Sequence, residues 1–82
     1  MVEFTVTCEW DNEATVWYVS ESNVPGLTAE APTQESMEKL LDVRIPELLR
    51  LNRPDLFSRD GPRHVPFDLH TRRQRELKLA CA

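Results

Sequence analysis

Residues 2–20 read Val2-Glu3-Phe4-Thr5-Val6-Thr7-Cys8-Glu9-Trp10-Asp11-Asn12-Glu13-Ala14-Thr15-Val16-Trp17-Tyr18-Val19-Ser20. Val2, Phe4, Val6, Cys8 and Trp10 alternate with polar residues, so one set of side chains faces a core and the other faces water. This is a strand. Asp11-Asn12-Glu13 supplies short side chains that bond back to the local backbone, so the chain reverses without a glycine. Thr15 to Ser20 is rich in β-branched and aromatic residues and forms the returning strand of a hairpin. Both of its faces are apolar, with Val16 and Tyr18 on one side and Trp17 and Val19 on the other. Whichever side is left uncovered is a candidate contact surface. The plainer alternative is an aromatic that only leans on its cross-strand neighbours.

Outward from the hairpin, Val24-Pro25-Gly26-Leu27 has the composition of a type II turn, with proline presetting φ and glycine supplying a positive φ after it. Leu27 to Ala31 then predicts a short third strand. Thr33 is an N-cap, and Gln34 and Glu35 open a helix in which Met37, Leu41, Ile45, Leu48 and Leu49 form one apolar stripe flanked by Leu40 and Leu51. Pro46 falls inside this run, nearly opposite the stripe, which predicts one kinked helix with its broken hydrogen bond toward water. Asn52 to Asp55 and Ser58 to Pro62 carry loop chemistry, with Leu56 and Phe57 tucked against the core. Val65, Phe67, Leu69 and Thr71 alternate with Pro66, Asp68, His70 and Arg72 as a fourth strand, at an edge or starting near the proline. For residues 73–82 the pattern leaves strand extension, short helix and fraying open. The order is β-β-β-α-β in one α+β domain spanning 1–82.

The chain has 82 residues, 40% hydrophobic and 29% charged, with a net charge of −4. That balance suits a small folded domain rather than a disordered chain. Residues 1–52 carry ten Asp/Glu against three Lys/Arg, a net of −7, and residues 53–82 carry seven Lys/Arg against four Asp/Glu, a net of +3. The acidic half disfavours nucleic acid and favours a basic partner. Cys8 and Cys81 lack metal spacing and are too few for a secreted disulfide scaffold, which points to a reducing cytoplasm. No stretch is a membrane span or a signal peptide's apolar region.

Chemistry-bearing clusters are absent from the pattern. His64 and His70 share a face of an extended segment with no third ligand. Glu3 and Glu9 are about 20 Å apart along a strand, too far to share metal ions as in a two-metal nuclease. Arg72-Arg73-Gln74-Arg75 has no interleaved aromatics for base stacking. The expectation is therefore no catalytic residue, no metal, no cofactor and no direct DNA binding.

The run Phe4 to Asp11, the Trp17 strand, the Val24-Pro25-Gly26-Leu27 turn, the Thr33 helix opening and Ile45-Pro46-Glu47-Leu48-Leu49 with Asn52 resemble a small uncharacterised bacterial domain family related to HicB antitoxins. The resemblance covers almost the whole chain. It implies a partial ribonuclease H-like fold: a three-stranded antiparallel sheet, a fourth strand beside the first, and one helix packed on one face. It also implies a cytoplasmic protein that self-associates, and in HicB proper masks HicA, a small basic toxin that cleaves messenger RNA. The expected form of self-association is a dimer, because exposed sheet edges invite pairing and most small oligomers are two-fold. Residues 72–82 are too short for the DNA-binding element that many HicB antitoxins carry, and no acidic active site stands out. The reading is a non-enzymatic binding module whose contact surface is Glu9, Asp11, Glu13, Trp17, Val19 and Glu21. The alternatives are a residual ribonuclease H-like nuclease and a structural homo-oligomer.

Overall fold

The computed structural model describes residues 3–59 and 64–80. Val2, the Asp60-Gly61-Pro62 part of the expected loop, and Cys81 lie outside the described residues. Among the described residues four strands, β1 (Phe4–Asp11), β2 (Val16–Ser22), β3 (Glu30–Ala31) and β4 (Phe67–Arg72), form one sheet in the order β3-β2-β1-β4. β2 is antiparallel to β1 and to β3, and β4 runs parallel to β1. The α-helix α1 (Gln34–Asn52) covers one face. This is the α+β arrangement expected, with the fourth strand beside the first.

The hairpin turns where Asp11 Oδ1 accepts the backbone N–H groups of Glu13 at 2.9 Å and Ala14 at 3.2 Å. Thr15 closes it at φ 54°, donating its N–H to the Asp11 carbonyl at 2.8 Å. At the far end Asn23 prolongs the ladder with its side chain. Its Oδ1 accepts from Thr5 N–H at 2.8 Å and its Nδ2 donates to the Glu3 carbonyl at 3.0 Å. Between these ends the register slips. Thr7 pairs with Glu21 but Cys8 pairs with Val19, so Ser20 is the extra residue of a bulge. The Ser20 hydroxyl donates to the Thr7 carbonyl at 3.2 Å.

The turn at Val24 to Leu27 forms as its composition requires: Gly26 has φ +74° and Leu27 N–H reaches the Val24 carbonyl at 3.3 Å. The third strand is shorter than the expected Leu27 to Ala31, because only Glu30 and Ala31 enter the ladder. Val24 and Leu27 are instead buried in the core.

Thr33 caps α1 through its hydroxyl, which accepts from Ser36 N–H at 3.0 Å, while the Ser36 hydroxyl accepts from Thr33 N–H at 3.1 Å. Met37, Leu41, Ile45 and Leu49 are buried, Leu48 is half-buried and Leu51 lies in solvent. Their spacing of four puts them on one face, against Phe4, Val6, Cys8 and Trp17. Helix α1 continues through Pro46, which is exposed, so the carbonyl it leaves free faces water.

Two details correct the expected loop. Pro54–Phe57 is a 3-10 helix, started by a proline whose fixed φ suits a first turn. Leu56 is buried, but Phe57 is exposed and carries the Arg50 guanidinium over its ring at 5.0 Å. Among the described residues no helix is long and apolar enough to cross a membrane.

Candidate functional site: the helix-free face of the sheet

Side-chain alternation divides the sheet into a covered and an open face. Phe4, Val6, Cys8 and Trp10 point toward the helix, and because Trp10 stands opposite Trp17 and Cys8 opposite Val19, those two residues share that side. Trp17 is 5% exposed and Val19 packs against the core. Both must be withdrawn from the expected contact surface. The residue they displace into view is Tyr18, with Val16 beside it, each half-buried on the open face.

Cross-strand register assembles this face in rows. Arg72, Glu9, Tyr18 and Glu30 stand next to one another across β4, β1, β2 and β3. The adjoining row runs His70, Thr7, Glu21, and on the other side Asp11 pairs with Val16. Adjacent strands lie about 4.8 Å apart, so these neighbours are within side-chain reach of one another. The Ser20 bulge shifts the alternation by one residue, which is why Glu21 joins Thr7 on the open face rather than following Trp17 and Val19 inward.

The result is a small apolar ledge, Val16 and Tyr18, with the carboxylates of Glu9, Asp11, Glu21 and Glu30 around it. Asp11 has part of its capacity committed to the turn. Glu13 is exposed at the hairpin tip. Among the described residues the ion pairs are Lys39–Glu35 and Arg53–Asp55, neither of them on this face. Basic residues reach the β4 edge of this face: Arg72, which ends β4, is the cross-strand neighbour of Glu9, while the Arg73 guanidinium lies 4.6 Å from the centroid of the Trp10 ring on the covered side.

Other chemistry is sparse. Cys8 is fully buried, and burial raises its thiol pKa, which disfavours the reactive thiolate. Among the described residues no group of three or more His, Cys, Asp or Glu is placed to hold a metal ion. A concavity of ≈ 560 Å³ between the hairpin tip and the segment after β4 is lined by Asn12, Arg73, Gln74, Arg75 and Glu76. It lacks the apolar walls of a small-molecule pocket.

Sequence reading had two candidate faces on β2 and could not choose between them. The turn held the missing signal. With four residues between Asp11 and Val16, the pair that closes the hairpin, Trp17 must fall opposite Trp10 and share the phase of Phe4. Glu30 was missed because its row depends on the pairing of β3.

Over residues 3–80 the chain matches the model of a family described as a domain of unknown function, DUF1902. The chain belongs to the DUF1902 family. This DUF1902 domain is also similar to the crystal structure of a hypothetical protein, TTHA1013, from the extremely thermophilic bacterium Thermus thermophilus, at 37% identity and a TM-score of 0.65. That match covers 95% of this chain and 100% of the other. No curated protein matches the DUF1902 domain.

Proposed function

We propose that this DUF1902 domain is a non-enzymatic, HicB-like protein-binding module that receives a small basic partner of the HicA ribonuclease-toxin type. The observation that carries the reading is the Tyr18 and Val16 ledge on the helix-free face, surrounded by Glu9, Glu21 and Glu30. An amphipathic aromatic at the centre of an otherwise charged patch is the usual anchor of a protein interface. The surrounding carboxylates lie in an N-terminal half of net charge −7 and steer a cationic partner into register. The strand order with β4 beside β1 is the one the HicB resemblance calls for. Masking then follows from occupancy: a basic ribonuclease held on this face has its cationic RNA-contacting surface turned toward carboxylates. We place the module in the cytoplasm, with such a toxin.

The test is co-expression with the product of the neighbouring gene, followed, if that product is a small basic protein, by titration with binding by calorimetry and messenger RNA cleavage read in parallel. A neighbour that forms no complex sinks the reading. Tyr18→Ala should weaken the complex by about 2 kcal/mol if Tyr18 is a hot spot. Reversing Glu9, Glu21 and Glu30 to lysine should slow association and flatten its salt dependence. Unchanged affinity in Tyr18→Ala, or a toxin that cleaves RNA equally well with the chain present, sinks the reading.

A further inference from the structure

β4 is an edge strand. Its inner side pairs with β1, and among the described residues no strand lies beside its outer row of backbone groups in the sheet. Beyond Arg72 the chain continues as residues 73–80 without regular secondary structure, exposed throughout. The molecule measures 66 × 24 × 18 Å, and its radius of gyration of 16.3 Å compares with about 12 Å for a compact chain of this length. Leu77 and Leu79 are 85% and 83% exposed. Yet the segment is not featureless. Leu77 and Leu79 keep the phase of Phe67 and Leu69, and Glu76 and Lys78 keep that of Asp68 and His70, so across the polar stretch 71–76 the two alternating ends hold the phase of one long strand.

We infer that residues 67–79 form this long strand on pairing with the same strand of a second copy, antiparallel about a two-fold axis at Arg73. The occupant follows from self-complementarity. In that register Leu79 stands opposite Phe67 and Leu77 opposite Leu69, covering two side chains that the helix leaves half-exposed. On the other face Lys78 stands opposite Asp68, Glu76 opposite His70 and Gln74 opposite Arg72. Neighbouring face-preserving registers are worse. One sets Glu76 against Asp68 and Arg72 against itself, and the other sets Arg75 against Arg73 and Leu77 against Thr71. Like charges directly opposite destabilise a ladder. At the axis Arg73 meets its own copy, but each guanidinium is held over the Trp10 ring of its own chain. The pairing covers both β4 edges and joins the two sheets into one of eight strands, the reason an exposed edge accepts such a partner. The pairing runs along the outer edge of β4, two strands from the Tyr18 strand in the sheet, so it does not rest on the toxin-binding reading.

Sedimentation of the intact chain tests it. The native protein should be a dimer at about 100 µM, and Leu77→Asp with Leu79→Asp should give a folded monomer, since both side chains are in solvent in the single copy. Asp68→Lys and Lys78→Asp should each raise the dimer dissociation constant about tenfold, and the double swap should restore it. A native monomer at that concentration overturns the inference, as does a dimer insensitive to the leucine changes. Single swaps without effect, or a double swap that fails to rescue, would reject the register. Toxin affinity measured on the leucine variant keeps this result apart from the fate of the Tyr18 face.

Discussion

Trp10 and Trp17 meet edge to face on the helix side of the sheet, ring centroids 5.5 Å apart and planes at 63°, directly opposite each other on β1 and β2. Such pairs contribute about 0.5–1.5 kcal/mol beyond the area they bury. Trp17 is the deeper of the two and touches the helix side of the core. Trp17→Ala should therefore lower unfolding stability by about 3–5 kcal/mol, the range for emptying an aromatic site in a core. Urea melts check it. A loss below about 1 kcal/mol would mean the strand is turned over, with Trp17 outside.

Tyr18 gives the opposite expectation. Being half-exposed on the open face, it should cost less than about 1.5 kcal/mol of stability when cut to alanine, so that its effect on binding can be read without unfolding. Comparing the two adjacent variants separates core from surface within a single strand.

The hairpin turn is held by one carboxylate and one unusual torsion. Asp11→Ala removes the acceptor of two backbone N–H groups at an exposed turn and should cost about 1 kcal/mol. Thr15 sits at φ 54°, a region that a β-branched residue enters at a cost, so Thr15→Gly should gain about 1 kcal/mol. Loss of stability in Thr15→Gly would show that the torsion is not strained.

The strands, the proline-glycine turn and the capped helix were legible because each is encoded by consecutive residues whose local chemistry and tertiary role agree. What was not legible arose between segments. The Ser20 bulge is a property of two strands together, and it moves Glu21 to the face opposite the one that alternation alone would give. The 3-10 helix at Pro54–Phe57 was hidden in residues that also suit an irregular loop. Trp17 was misplaced for a related reason: β2 is apolar on both faces, so hydrophobicity could not orient it. Only counting across the turn could.

A pH effect should appear where Arg53 grips Asp55. Arg53 Nε donates to Asp55 Oδ1 at 3.1 Å and Nη2 to Oδ2 at 3.0 Å, and this hydrogen bonding holds the Asp55 carboxyl below its ordinary value of 3.8. The folded pKa is the lower one. Any stability the pair contributes is therefore present above the unfolded pKa and is lost as pH falls through the folded value. Carboxyl NMR titration should place the Asp55 midpoint below that of a free aspartate, and Arg53→Gln should return it upward. An unshifted midpoint in the native chain rules the grip out in solution.

Catalysis is expected to be absent. The purified chain should leave RNA and DNA intact with magnesium or manganese, since the open-face carboxylates are spread along rows rather than gathered around a shared ion. Cleavage that co-purifies with the protein and disappears on replacing Glu9 or Asp11 would reverse this.

The parallel pairing of β4 with β1 also bears on how the chain reaches its native state. β1 and β2 are neighbours in sequence and can zip early, whereas β1 must wait for residues 67–72 before its other edge is closed. Until then Phe4, Val6 and Cys8 lie along a bare, alternating edge of high β-propensity, the kind of segment from which amyloid-like stacking begins. A nascent chain translated only as far as residue 66 would present that edge to every other such chain. β4 is thus the strand whose late arrival closes the β1 edge, and slow translation before it would lengthen the interval in which that edge is bare.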